Sequence, residues 1–165
     1  MRRGLLAVAV IGTALVLQAS LIDRLPLPGG WPDLPVICVV AFALTGGPAY
    51  GAVLGFLTGL AADVLPPADH TLGRLALAYA VVGYVAGLVE DVEERSVVTT
   101  VVAVAFASGL AVIVFAGIGA LIGDPRVTGG AVTRSMAGTV IYDVVLAPFV
   151  VPLIAAAVRR TEPTG

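Results

Sequence analysis

The chain has 165 residues, of which 59% are hydrophobic and 12% charged, and its mean hydropathy is +1.05. Soluble domains carry about twice that charged fraction, so the composition indicates an integral membrane protein and excludes a sizeable soluble domain. Nine basic residues, all arginine, are outnumbered by eleven acidic ones. Nucleic-acid binding, which requires a basic surface, therefore has no support.

Apolar segments along nearly the whole chain predict an all-α polytopic membrane protein, a compact bundle forming one helical domain over residues 1–165. The first segment resembles a signal peptide, but Leu17 occupies the position where a cleavage site needs a small residue, so we expect an uncleaved helix. Six helices are predicted, at residues 4–22, 34–45, 47–65, 72–89, 97–122 and 134–158.

The second predicted helix is short. Residues 34–45 cover about 18 Å, whereas the hydrocarbon core is about 30 Å thick, so this segment either crosses a thinned site or dips in and returns. Residues 23–33 before it are rich in proline and glycine and cannot continue a helix. Trp31 is suited to anchor this loop at the interface, and Asp33 to cap the helix that follows.

The distribution of arginine predicts the orientation. Arg2 and Arg3 begin the chain and Arg159 and Arg160 lie near its end, so both termini are expected in the cytoplasm and the number of crossings is expected to be even. The acidic run at residues 90–96, with four carboxylates, is interpreted as a solvated turn rather than a catalytic acid pair.

Glycines recur at four-residue intervals in the third predicted helix and form a smooth face that ends at Asp63. In a bilayer such a face lets another helix approach closely, so it either packs within the bundle or receives a partner protein. Gly83 and Gly87 form a similar pair in the fourth helix, which we expect to pack against the glycine-containing fifth helix. The proposed face consists of Gly47, Gly51, Gly55 and Gly59.

Three ionisable residues are placed in or at the membrane. Asp143 lies about 13 Å along the last helix, close to the centre of the bilayer. Because a carboxylate exposed to lipid there is unfavourable in free energy, we expect Asp143 to face the bundle, either as a polar clamp between helices or in a functional role. Asp63 and Arg74 are expected to pair at the outer interface. His70 has no second metal ligand close in sequence, and we find no arrangement of residues that specifies a reaction. No cofactor is predicted.

Five segments follow one another along the chain: PDLP, a Gly-Gly-Pro turn, GAVLGFLTGLAADVL, LGRLALAYAVVGYVAG and TVIYDVVLAPFVVPLI. Their order resembles that of the rod shape-determining protein MreD family over nearly the whole chain. The resemblance implies a non-enzymatic member of the bacterial cell-elongation machinery in the plasma membrane. It implies an MreC-type partner and, through it, contact with the wall-building polymerase and transpeptidase. It also implies a six-helix fold similar to the substrate-binding components of vitamin transporters.

Two functions follow as hypotheses. The first is a membrane scaffold that binds a partner helix along the glycine face and supports peptidoglycan synthesis. The alternative is a small-molecule-binding or transport component that uses the outer loops and Asp143, and a solvent-reaching pocket around Asp143 would favour it.

Overall fold

The computed structural model of the chain describes residues 2–66, 71–89 and 97–161, which form six α-helices without a strand. Only a short 3₁₀ turn, Ile22–Arg24, adds to them. The helices are α1 (Arg2–Ser20), α2 (Leu34–Gly46), α3 (Pro48–Val64), α4 (Arg74–Gly87), α5 (Val97–Leu121) and α6 (Gly129–Thr161).

Three of these helices, α1 with its following turn, α5 and α6, are long and apolar enough to cross a membrane. The other three are apolar but shorter, with 13, 17 and 14 residues, which is about 20 to 25 Å of helix. The chain is therefore a helical membrane protein. The number of crossings made by α2, α3 and α4 stays a prediction.

Helix α2 forms the centre of the bundle. Each of its residues from Pro35 to Leu44 is buried, and it contacts all five other helices. A helix that is hydrophobic all round has no face to offer water and is stable only when it is surrounded. The shortest helix is thus the core around which the longer ones pack.

Local sequence determines where α2 begins and ends. As predicted, Asp33 caps its start, because the side chain accepts a hydrogen bond from the Val36 N–H at 3.1 Å. Pro35 fits in the first turn, where an N–H has no intrahelical acceptor. At the other end Gly47 adopts φ = 82°, a conformation that favours glycine, and the chain reverses into α3.

The two ends of the bundle differ. Arg3, at the start of α1, donates a hydrogen bond to Thr45 at the end of α2. The opposite end, here called the distal end, holds the last turns of α1, α3 and α5 and the first turns of α2, α4 and α6. It carries the loop at residues 21–33 and the candidate site.

Most helix bounds differ by one or two residues from those predicted, but α6 begins at Gly129 rather than at residue 134. Thr128 makes the early start possible, because its hydroxyl accepts a hydrogen bond from the Ala131 N–H at 3.3 Å. The helix continues through Pro148 and Pro152. The acidic turn at residues 90–96 lies outside the described residues.

Candidate functional site

The glycine face of α3 lies against α4 of the same chain. A Cβ added at Gly51, Gly55 or Gly59 would collide with backbone carbonyl groups of α4. The contact is reciprocal, since a Cβ at Gly83 would collide with the backbone of Gly51 and one at Gly87 with that of Gly47. Because glycine has no side chain, the two backbones come into direct contact. Helix α4 therefore occupies the glycine face that a partner helix would have needed.

Helices α4 and α5 pack on each other as predicted, but Gly83 and Gly87 do not make that contact, because both face α3 and its start. On α5, Gly119 contacts the side chain of Arg74, whereas a Cβ at Gly117 would meet no atom within 4 Å. Glycine spacing predicted close approach of helices but not which two would meet.

Asp63 ends the glycine face and caps the next helix. Its carboxylate accepts hydrogen bonds from the N–H groups of Gly73 at 2.8 Å, Leu75 at 3.1 Å and Ala76 at 3.2 Å. The first N–H groups of a helix have no intrahelical acceptor, and a negative charge is favourable there. Buried Asp63 therefore joins the end of α3 to the start of α4.

The sequence predicted that Arg74 would pair with Asp63. In the structure Arg74 pairs with Asp124 instead. Its Nη1 lies 2.8 Å from the Asp124 Oδ2, its Nη2 donates to the Phe115 carbonyl at 3.1 Å, and the guanidinium stacks 3.9 Å from the Phe115 ring centroid. Hydrogen bonds from the Arg126 N–H and then from Arg74 lower the pKa of Asp124 to about 2. The pair fastens α4 to the loop after α5.

Asp143 is completely buried, and both of its carboxylate oxygens accept hydrogen bonds. The Ser108 hydroxyl of α5 donates to Oδ2 at 2.5 Å, and the Asp33 N–H donates to Oδ1 at 2.7 Å. The carboxylate thus joins α6, α5 and the start of α2 at one point. This is the geometry of the polar clamp, with partners that the sequence did not identify.

The side chain of Asp33 joins a second set of contacts. The Tyr79 hydroxyl of α4 donates to the Asp33 carboxylate, with distances of 2.9 and 2.8 Å to its two oxygens. Gln18 at the end of α1 accepts from the Leu34 N–H at 3.2 Å and donates to Asp23 at 2.8 Å. The start of α2 is therefore tied to α1, α4 and α6.

A cavity of about 610 Å³ lies at the distal end, next to these contacts. All six helices contribute to its wall, and Asp33 rather than Asp143 lines it. Asp143 is not part of the wall and contacts the backbone of Asp33. The alternative hypothesis required a pocket around Asp143, whereas this pocket is lined by Asp33 and not by Asp143. We call it the distal cavity; its polar and aromatic walls are Gln18, Asp23, Trp31, Asp33, Tyr79, Phe115, Ser135 and Thr139.

The loop before α2 closes one side of this cavity and lies against α6. Thr139 donates a hydrogen bond to the Trp31 carbonyl at 3.0 Å. Gly29 has φ = 89°, and a Cβ at Gly30 would lie 3.0 Å from the Ser135 carbonyl oxygen. A Cβ at Gly138 of α6 would collide with the backbone of Gly29. The absence of a side chain at Gly138 and the positive φ of Gly29 therefore let the loop lie against α6, with Trp31 at the cavity.

A match to a known family decides the identification. The family described as rod shape-determining protein MreD matches residues 3–160, nearly the whole chain. The chain belongs to the MreD family. MreD proteins have a role in determining rod shape and are structural membrane proteins not known as enzymes. No curated protein matches the chain.

The polar side chains described above join helices and loops of this MreD protein to one another. Within residues 2–66, 71–89 and 97–161, no three metal-ligating side chains come together, and His70 lies outside those ranges. Sequence reasoning missed Tyr79, Ser108 and Asp124. Ser108 offered one signal, since a buried carboxylate needs a donor and α5 carries few polar side chains.

Proposed function

We propose that this MreD protein is a non-enzymatic scaffold of the cell-elongation machinery in the bacterial plasma membrane. It binds an MreC-type membrane protein and, through it, supports peptidoglycan synthesis by the wall polymerase and transpeptidase. The observation that carries the proposal is the family match over residues 3–160 of a helical membrane protein.

The packing of the helices supports a scaffold whose partner surface lies on the outside of the bundle. The glycine face is used internally, and Asp63, Arg74 and Asp143 all serve contacts between the chain's own elements. Large apolar side chains on the outside are available to lipid or to a partner helix. Among them are Val53, Phe56, Val102, Phe106, Phe149 and Leu153.

Co-purification tests this proposal. The tagged protein is extracted from its own membranes in a mild detergent, and the proteins that accompany it are identified by mass spectrometry. An unrelated tagged multi-pass protein from the same membranes serves as the control. We expect an MreC-type protein to be enriched with this chain and not with the control.

The alternative function predicts a different companion. Enrichment of transporter ATPase subunits, with no MreC-type protein, would overturn the scaffold proposal and support a transport component. Loss of the MreC-type protein on mild salt washing would also contradict it, because a contact between apolar surfaces inside the membrane is insensitive to salt.

A further inference from the structure

The distal cavity has the dimensions of a small-molecule site. Its volume of about 610 Å³ lies within the range of about 300 to 1,000 Å³ typical of ligand pockets. Most of its wall is apolar, contributed by residues such as Leu15, Leu65 and Phe115, and a few polar groups converge on it. This combination of an apolar wall and a few placed polar groups is typical of sites for small organic molecules.

The charge on the wall has one sign. Asp23 and Asp33 line the cavity, and no arginine, lysine or histidine is among its lining residues within the part of the chain that the structure describes. The neighbouring guanidinium of Arg74 is directed to Asp124. A cavity with two carboxylates and no cation attracts a positively charged ligand and repels an anion.

Asp33 is held in position to act as the counter-ion. The Tyr79 hydroxyl and the Val36 N–H fix its carboxylate, and a carboxylate has about four acceptor positions in all. An N–H donor on a ligand can therefore join the two protein donors. Such charge-assisted hydrogen bonds are stronger than neutral ones.

We propose that the distal cavity binds a small organic cation, a protonated amine on an apolar body, with its ammonium group at Asp33 and its body between Trp31 and Phe115. Aromatic side chains suit such a ligand because their faces attract cations and their edges and rings bury apolar groups. The proposal does not depend on an MreC-type partner.

The structure supplies its own reporter for this site. Trp31 is the chain's single tryptophan and lines the cavity, so its fluorescence reports directly on occupancy. The purified protein in detergent is titrated with 2-phenylethylamine, a protonated amine with an aromatic body. Two analogues of similar shape, neutral 2-phenylethanol and anionic 3-phenylpropionate, are titrated in parallel. We expect a saturable change with the amine and a dissociation constant at least about tenfold weaker for each analogue.

Two variants and one control locate the binding site. Asp33→Asn keeps a side chain that caps α2 well but removes the charge, and it should weaken amine binding by about tenfold or more. Asp23→Asn removes the second carboxylate, which lies at an exposed loop position, and should weaken amine binding less than Asp33→Asn does. Arg160→Gln removes an exposed charge at the opposite end of the bundle and should leave amine binding unchanged.

Two results would overturn the proposal. One is a fluorescence change that fails to saturate or is equal for the amine, the alcohol and the acid, which would show nonspecific partition into the micelle. The other is unchanged amine affinity in a folded Asp33→Asn variant. If Asp33→Asn does not fold, the Asp23→Asn titration and the comparison of the three analogues still decide the matter.

Discussion

At the scale of single residues, Asp143 shows how a carboxylate can be accommodated inside a membrane bundle. Burying a charged group without partners is costly, and here the Ser108 hydroxyl and the Asp33 N–H satisfy its two oxygens. The position of Asp143 in the last apolar segment predicted that it would face the bundle. Its partners come from residues 35 and 110 positions away, and no local pattern encodes such distant contacts.

Replacing Asp143 should therefore lower stability. Asp143→Ala leaves the Asp33 N–H without its acceptor and should cost about 1 to 3 kcal/mol. Ser108→Ala removes one donor and should cost less. Thermal unfolding of the purified proteins in detergent measures both, with Tyr142→Phe as the control, since its hydroxyl makes only one bond of 3.3 Å. Equal unfolding temperatures for Asp143→Ala and Tyr142→Phe would contradict the clamp.

The hydrogen bonds that Asp124 accepts, first from the Arg126 N–H and then from Arg74, should make stability depend on acid pH. The pKa of Asp124 is lowered to about 2 in the folded protein, from an ordinary value of 3.8. Its ionised form therefore stabilises the fold above about pH 4, and this contribution is lost as the pH falls through 4 toward 2. Unfolding temperatures measured over that window should fall less steeply for Asp124→Asn than for the wild type. Parallel curves would contradict the account.

At the scale of helices, the close contact between α3 and α4 depends on glycines, which have no side chain to separate the two backbones. Gly55→Ala places a methyl group against the Tyr79 carbonyl, and such overpacking costs about 1 to 3 kcal/mol. Gly117→Ala is the matched control, because a Cβ there meets no atom within 4 Å, and alanine favours a helix by up to about 1 kcal/mol. Gly55→Ala should lower the unfolding temperature and Gly117→Ala should not. The opposite order would contradict the assigned interface.

Helix positions were largely predictable because hydrophobicity, proline and glycine are local signals. The start of α6 was missed because the glycines at 129 and 130 suggested a loop, whereas the capping hydroxyl of Thr128 decides the boundary. The partner of the glycine face was not predictable either. Glycines at four-residue intervals indicate that another helix will pack closely on that face. They do not indicate whether this helix is α4, α5 or part of another protein.

At the scale of the whole molecule, the organisation around α2 is the main feature that the sequence left open. The short segment predicted at residues 34–45 suggested either a thinned crossing or a re-entrant segment. The structure places it among the five other helices, each of which it contacts, so its mostly uniform apolar surface contacts protein. The distal cavity also belongs to this scale, since every helix contributes to its wall.

The enclosed position of α2 predicts that Cys38, which is buried, is protected from thiol reagents. In the native protein N-ethylmaleimide should not modify it, and after denaturation it should modify one thiol per chain, as counted by mass spectrometry. Gly130→Cys, at an exposed position with open space around it, should add one thiol that reacts in the native protein. Rapid native labelling of Cys38 would contradict the central placement of α2.

Site-specific photo-crosslinking in native membranes tests the scaffold proposal most directly. The photoreactive residue benzoylphenylalanine replaces one outward-facing residue on each of four helices, Val8, Val53, Val102 and Val145, and the same variants without irradiation are the control. We expect at least one outward position to crosslink to an MreC-type protein on irradiation and no crosslink to form in the dark. The scaffold proposal would be contradicted if all four variants insert normally beside an MreC-type protein in the same membrane and none forms that crosslink.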